Sequence, residues 1–348
     1  GVCAGRCLAS GTYNVLIGKC PGAGDSSSVP SGDHNIFFGT EVAQYATSGD
    51  NNIAIGRYAS KGASGSSNLS GNNNIALGMN SLFCITSGAR NIAIGSYALQ
   101  KCTTSGACNI AIGEKAGRCI SGNCNIAIGC SAMRSLGGGS GNDNIAIGGQ
   151  AMSCLNSGRR NIAIGKYNMR CLTTGCYNIS MGQRGLGADA NFTGTFNTAI
   201  GVYAGIVATS ASKNALYGNI AGNCLTTGCF NVFLGNAAGR NTTTGSTNIA
   251  IGCAVCLPIA GGDTQLAVGA GTTMWVTGTN NFNVGIGTTV ADEKLYVDGS
   301  IHTEKFFQNP TSLAVNTTFP SSGTKNGGVF GPYTVASGVT LTISSGST

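Results

Sequence analysis

Hydrophobic and polar positions alternate along the chain in a short recurring frame, of which Asn91-Ile92-Ala93-Ile94-Gly95 is a complete example. Successive frames start mostly about 17 residues apart, with a few steps of roughly 19–22. A fixed period of this kind is typical of a repeat architecture, in which each repeat forms the same structural unit. The frame begins at Asn14, Asn35, Asn52, Asn74, Asn91, Asn109, Asn125, Asn144, Asn161, Asn178, Asn197, Asn214, Asn231 and Asn248, with weaker copies at Gln265 and Asn283.

The alternation of large and small residues predicts a β-strand with both isoleucines on one face and the alanine on the other. Such a short strand cannot bury its apolar face alone, so we expect the next repeat to stack about 4.8 Å away and place isoleucine beside isoleucine. The pattern therefore predicts an all-β solenoid, a parallel β-roll or β-helix, with buried isoleucines and outward alanines. About 15 coils would form a rod on the order of 70 Å long.

The outward alanine has two interpretations. A column of alanines permits the close approach of another backbone, as in a rod made of several chains. Alternatively, alanine merely fits a tight coil. The sequence leaves both open, and also leaves open whether each chain closes its own coil.

The polar members of the frame have structural roles as well. Asparagine before each strand suits a ladder in which every carboxamide bonds the ones above and below it. Glycine before and after the frame supplies turns, including backbone conformations that other residues avoid. The residues predicted to have these structural roles are represented by two complete frames, with Asn91, Ile92, Ile94 and Gly95 in the first and Asn161, Ile162, Ile164 and Gly165 in the second.

The regularity of the repeat predicts three parts of the chain. Residues 1–268 form the solenoid, residues 269–301 form a neck, and residues 302–348 form a small β-rich tip. Within the neck, Leu295–Val297 followed by an Asp-Gly pair predicts a β-hairpin. In the tip, residues 333–335 and 339–343 alternate and predict two strands joined at 336–338.

Composition narrows the class of protein. Only 9% of the residues are charged while glycine numbers 57, which fits neither an ordinary globular enzyme nor a disordered tail. The lack of an apolar run of 18 or more residues argues against membrane insertion. The net charge of +7 is spread through the loops, which favours a solvated surface over a polyanion site. Aromatic residues are not interleaved with the basic ones, so nucleic acid is not expected as a partner.

Sixteen cysteines fall largely into two registers of the repeat. One register lies about seven residues before the frame asparagine, and the other lies just before it. Stacked or same-coil cysteines predict disulfides, whose connectivity the sequence leaves open, while a column of reduced thiols is the alternative. The candidates are Cys84, Cys102, Cys108, Cys124, Cys171, Cys176, Cys224 and Cys229.

Candidate chemistry is sparse. The two histidines, His34 and His302, stand at opposite ends of the chain, and the carboxylates are scattered rather than paired. Neither a nucleophilic triad nor acid–base catalysis is therefore expected. Cys253 and Cys256 form a lone pair without a second half, so no metal or other cofactor is expected.

The repeats resemble those of viral and bacteriophage fibre proteins, and are similar to the head repeats of trimeric autotransporter adhesins, which form left-handed β-rolls in trimers. Residues 283–301 and 330–348 resemble segments found near the ends of phage tail fibres. This resemblance implies a homotrimer at the virion surface or outside the cell. It also implies contacts with a host receptor or glycan, and with other virion proteins through an N-terminal part missing here, since the chain begins Gly1-Val2-Cys3.

Three functions follow as expectations. The first is a structural virion fibre that acts as a rigid spacer and attachment module without catalysis. The second is a cellular surface adhesin or a self-assembling extracellular filament. The third is an ice-binding solenoid, suggested by Thr-Thr pairs after some cysteines, although many coils carry other residues there.

Overall fold

The computed structural model of the chain describes residues 1–6, 10–23, 31–45, 48–62, 70–84, 86–100, 106–135 and 138–299, and four short strands between 312 and 343. Every regular element in these residues is a β-strand, and they contain no helix. The predicted β-solenoid is confirmed, with about fourteen coils of roughly 17 residues. Contacts divide the chain into two compact units, residues 1–298 and residues 299–348.

Each frame supplies one three-residue strand of the solenoid. The strands are β1 (Val15–Ile17), β2 (Ile36–Phe38), β3 (Ile53–Ile55), β4 (Ile75–Leu77), β5 (Ile92–Ile94), β6 (Ile110–Ile112), β7 (Ile126–Ile128), β8 (Ile145–Ile147), β9 (Ile162–Ile164), β10 (Ile179–Met181), β11 (Thr198–Ile200), β12 (Ala215–Tyr217), β13 (Val232–Leu234) and β14 (Ile249–Ile251). They pair in parallel and in chain order, so that Ile75 lies beside Ile92 and Ala76 beside Ala93. The expected stacking of isoleucine beside isoleucine is confirmed.

The direction in which the strands face is opposite to the prediction. The central alanines, such as Ala93 and Ala163, are fully buried, whereas the isoleucines on either side lie at the surface or are half-buried. The frame asparagine is buried as well, and a strand alternates its faces with a period of two residues. Asparagine and alanine must therefore point inward together, which sends both isoleucines outward.

Alanine suits the inward position because the far wall of each coil supplies the bulk of the core. Leu82, Met133, Met152 and Met169, which follow the closing glycine by four residues, are fully buried. Where the strand carries a larger residue, the far wall shrinks. Phe233 replaces the alanine of β13, and the far-wall residue of that coil is Gly239, at which an added Cβ would lie 2.6 Å from the phenylalanine ring.

The asparagine ladder is confirmed and does more than link the carboxamides. Asn161 Nδ2 donates to Asn144 Oδ1 at 3.0 Å and also to the carbonyl oxygen of Gly175 at 2.8 Å. Asn161 Oδ1 in turn accepts the backbone N–H of Asn178 at 3.0 Å. Each asparagine thus satisfies backbone groups in the adjoining coils, which explains why a buried amide recurs in every repeat.

Glycine recurs at two positions of the repeat, and each position requires glycine for a different physical reason. Gly165, which closes its frame, has φ +128, and an added Cβ would lie 2.2 Å from the carbonyl oxygen of Gly182. Gly158, three residues before its frame, lacks a positive φ, but an added Cβ would lie 2.4 Å from the carbonyl oxygen of Gly175. The close approach of successive coils therefore requires both glycines, and positive φ applies only to the closing one.

The solenoid sheet ends in a change of strand direction. The remaining strands of this sheet are β15 (Leu266–Ala270), β16 (Thr273–Gly278), β17 (Val284–Ile286) and β18 (Leu295–Val297). β15 and β16 form an antiparallel hairpin that the sequence analysis missed, and β17 pairs antiparallel with β16. The strand predicted at Leu295–Val297 is present as β18, but it pairs in parallel with β17, and the second arm of its predicted hairpin lies outside the described residues.

Four strands belong to the second unit, namely β19 (Ser312–Leu313), β20 (Thr317–Phe319), β21 (Thr334–Val335) and β22 (Leu341–Ile343). The two strands predicted in the tip correspond to β21 and β22. Each pairs in parallel with an earlier strand, β21 with β19 and β22 with β20. The predicted connection at 336–338 lies outside the described residues.

Candidate functional site

The main surface feature of the solenoid is a continuous apolar face, here called the isoleucine face, formed by the outward side chains of β1–β14. The outward side chains are half-buried in coils such as those of β5 and β9, and their exposed fraction reaches 51% at Phe38. The face runs the length of the stacked strands because every strand contributes two outward residues in the same register. Contiguous apolar patches larger than a few hundred Å² are uncommon on monomeric proteins and mark interaction surfaces.

The residue immediately before each frame asparagine also points outward and widens the face. Near the C-terminal coils this column is aromatic and basic. Tyr177 and Phe196 stack with ring centroids 4.8 Å apart, and the Lys213 ammonium lies 4.6 Å from the ring centroid of Phe230. The Arg160 guanidinium lies over the Tyr177 ring on the other side. Aromatic and cationic side chains thus border the isoleucine face along β9–β13.

Ion pairs are few among the described residues, and one of them joins Arg160 and Asp143, at 3.8 Å, in the column directly before the frame asparagines. The Lys61 ammonium contacts the Glu41 carboxylate at 2.7 Å, and this hydrogen bond holds the pKa of Glu41 below its ordinary value of 4.5. Asp189 receives the Arg184 guanidinium at 2.6 Å. These pairs join neighbouring coils or loop residues, and none of them includes a side chain of β1–β14.

No disulfide joins two cysteines of the described residues. Of the eight candidates for disulfides, Cys102 lies outside the described residues; the others are partly or fully exposed. Cys108 and Cys124 interact across successive coils, and burial together with the neighbouring Cys108 thiol raises the pKa of Cys124. Cys171 Sγ donates to the carbonyl oxygen of Ala188 at 3.2 Å, and burial, with a smaller contribution from the neighbouring Cys154 thiol, raises the pKa of Cys171. The disulfides stay a prediction.

The other predicted positions fall into two environments. Asn91 and Asn161 are buried in the ladder, while Ile92, Ile94, Ile162 and Ile164 lie on the isoleucine face. Gly95 and Gly165 close their coils with positive φ. Structure thus separates the frame into an interior half that builds the coil and an exterior half available to partners.

One set of residues was missed by the sequence analysis. Four arginines lie nine residues after a frame asparagine and so occupy one column on the solenoid, namely Arg118, Arg134, Arg170 and Arg240. Their common offset from the frame was the available signal, but the analysis treated the basic residues as scattered. The column lies beyond the turn that follows the strand, away from the isoleucine face.

Groups that could hold a metal ion are absent from the described residues. His34 stacks against Tyr13 with ring centroids 4.9 Å apart, and His302 lies outside the described part. Nor does the described part contain a helix with the length and hydropathy needed to cross a bilayer.

Comparison with known proteins returned no match among protein-family models, curated proteins or solved structures.

Proposed function

We propose that this chain is a structural fibre protein in which the isoleucine face packs against copies of the same chain, most simply as a homotrimer. The fibre projects from a virion, acts as a rigid spacer and carries attachment surfaces; it binds and positions rather than catalyses. The observation that carries the proposal is the apolar face itself, which the fold turns toward solvent in every coil from β1 to β14.

The size of the isoleucine face supports this role. Complete burial of an isoleucine is worth about 1.5–3 kcal/mol at roughly 25 cal/mol per Å², which corresponds to about 60–120 Å² of apolar surface. Fourteen strands with two outward residues each, about one-third exposed, leave roughly 600–1,100 Å² per chain. A standard protein–protein interface buries about 800 Å² per partner. The face is thus large enough for a stable assembly.

A copy of the same chain is the occupant that fits the face best. The side chains of β1–β14 on the face are uncharged and repeat about every 4.8 Å, so a second solenoid presents the same spacing of ridges and grooves. The number of three chains, the virion and the host receptor come from the resemblance of the repeats to fibre and adhesin proteins.

A cellular surface adhesin or extracellular filament is the second candidate, favoured by the same face and the same resemblance. Antibodies raised against the solenoid and applied as gold conjugates to material from the source organism distinguish the two. Labelled projections on virus particles support the fibre. Labelling of cell surfaces with unlabelled particles refutes it in favour of the adhesin.

A further inference from the structure

The arginine column is interrupted by one coil between Arg134 and Arg170. Arg118, Arg134 and Arg170 occupy the same position in their coils, but the coil between Arg134 and Arg170 carries Ser153 there. Successive coils stack about 4.8 Å apart, so the two arginines flank the gap at roughly twice that spacing. The short serine leaves a surface groove of about 350 Å³ between them.

The lining of the groove contains two cationic side chains. Besides the two arginines it consists of Ser131, Gln150, Ser153, Cys154 and Cys171. No carboxylate is among these lining residues, so the positive charge is not neutralised inside the groove. Its volume falls at the lower end of the range for small-molecule sites, which begins near 300 Å³.

The side chain of Arg134 makes no ion pair with the described residues, and its Nε is buried without a hydrogen-bond acceptor. The same holds for the Nε of Arg118, one coil away. A guanidinium has five donors and no acceptor, and burying an unpaired donor is unfavourable. The buried Nε is out of reach from the groove, so an anion there would accept hydrogen bonds from the terminal nitrogens of Arg134.

Arg170 is held in place rather than left without partners. Its Nε donates to the carbonyl oxygen of Ala188 at 3.2 Å, and its terminal nitrogen lies 3.8 Å from Asp189. Asp189 is engaged more closely by Arg184, at 2.6 Å. The Arg170 guanidinium therefore keeps a fixed position at the groove with much of its charge available.

We propose that the groove binds the oxyanion of an acidic saccharide, with its carboxylate or sulfate group between Arg134 and Arg170. Guanidinium groups match such oxyanions through paired hydrogen bonds. The hydroxyls of Ser131 and Ser153 and the amide of Gln150 are suited to the neutral hydroxyls that surround the anionic group of a sugar. A role in attachment rests on the proposed fibre function, whereas the binding chemistry stands without it.

Isothermal titration of the full chain with sodium glucuronate, glucose and sodium sulfate tests the proposal. We expect saturable binding of glucuronate, no binding of glucose and weaker binding of sulfate. R134Q should weaken glucuronate binding at least about tenfold, equivalent to about 1.4 kcal/mol. S153L should abolish binding by filling the groove at unchanged charge, with circular dichroism verifying that each variant folds.

R159Q is the matched control, because it removes the same single positive charge as R134Q, from an exposed arginine outside the groove. Its affinity for glucuronate should stay within about twofold of the parent. Equal weakening by R159Q and R134Q would show diffuse electrostatic attraction and overturn the site. Sulfate binding as tight as glucuronate would overturn the saccharide, and the absence of saturable binding by any probe would overturn both.

Light scattering on the same samples keeps this test separate from that of the fibre. An intact assembly that does not bind glucuronate refutes the groove alone. A monomer that binds it refutes the multichain fibre alone.

Discussion

Removing one carboxamide from the middle of the asparagine ladder should strongly destabilise the solenoid. In N161A four hydrogen bonds disappear: two donated by Asn161 Nδ2, to Asn144 and Gly175, and two accepted by its Oδ1 from Asn178. Asn144 and the Asn178 side chain retain other partners, but the Gly175 carbonyl and the Asn178 backbone N–H are left buried without one. At about 1–3 kcal/mol for each orphaned group, the free energy of unfolding should fall by about 2–6 kcal/mol.

Urea denaturation followed by far-UV circular dichroism measures this loss, with N156A as the matched control. Asn156 is exposed in the adjoining coil, so its replacement should change the free energy of unfolding by no more than about 0.5 kcal/mol. Because coils interact mainly with their neighbours, hydrogen exchange should show faster exchange of the Asn178 amide first. A loss in N161A equal to that in N156A would refute the reasoning from buried polar groups.

Three further perturbations test other parts of the account. G148A should lower the free energy of unfolding, measured by urea denaturation, by at least about 2 kcal/mol, because Gly148 has φ +130 and an added Cβ would lie 2.5 Å from a backbone oxygen. The control is G149A at the adjacent position, where an added Cβ would have no atom within 3.8 Å, and it should change the free energy of unfolding by about 0.5 kcal/mol or less. Equal effects of the two variants would contradict the close-approach argument. I162E places a charge on the isoleucine face and should reduce the native mass measured by light scattering; an unchanged assembly would exclude this face as the interface. Because the pKa of Glu41 is lowered in the folded state, its pair with Lys61 stabilises the fold above pH 4.5, and this stabilisation is lost as the pH falls through the folded-state pKa. The Tm of E41Q should therefore drop less than the Tm of the parent between about pH 6 and pH 3. Identical drops in Tm would contradict the pairing.

The sequence predicted the solenoid because its period and alternation are physical necessities of stacking. The frame fixed the strand positions, and the ladder followed from the recurrence of asparagine at one register. The facing of the strands was wrong because hydrophobicity alone was used to choose the buried side. Had the burial of Asn91 been applied first, the two-residue period would have placed Ala93 inside and Ile92 outside.

Other features were not predicted from the sequence, and most of them depend on contacts between residues of different coils. The role of Gly158 became visible only when the next coil's carbonyl was placed against it. The hairpin of β15 and β16 has a two-residue loop, Gly271-Thr272, with Gly271 at φ +59, and this turn signal was overlooked because the region was interpreted as a further weak repeat. The groove beside Arg134 depends on the small size of Ser153 between two larger residues in the stack, which no single repeat contains.

The central claim is that the isoleucine face is covered by copies of the same chain. Native mass, measured by light scattering with and without reductant, tests it most directly. The account predicts a mass near three times 34.7 kDa in both conditions, since apolar packing rather than cysteine chemistry joins the chains. A monomer in both conditions would contradict it.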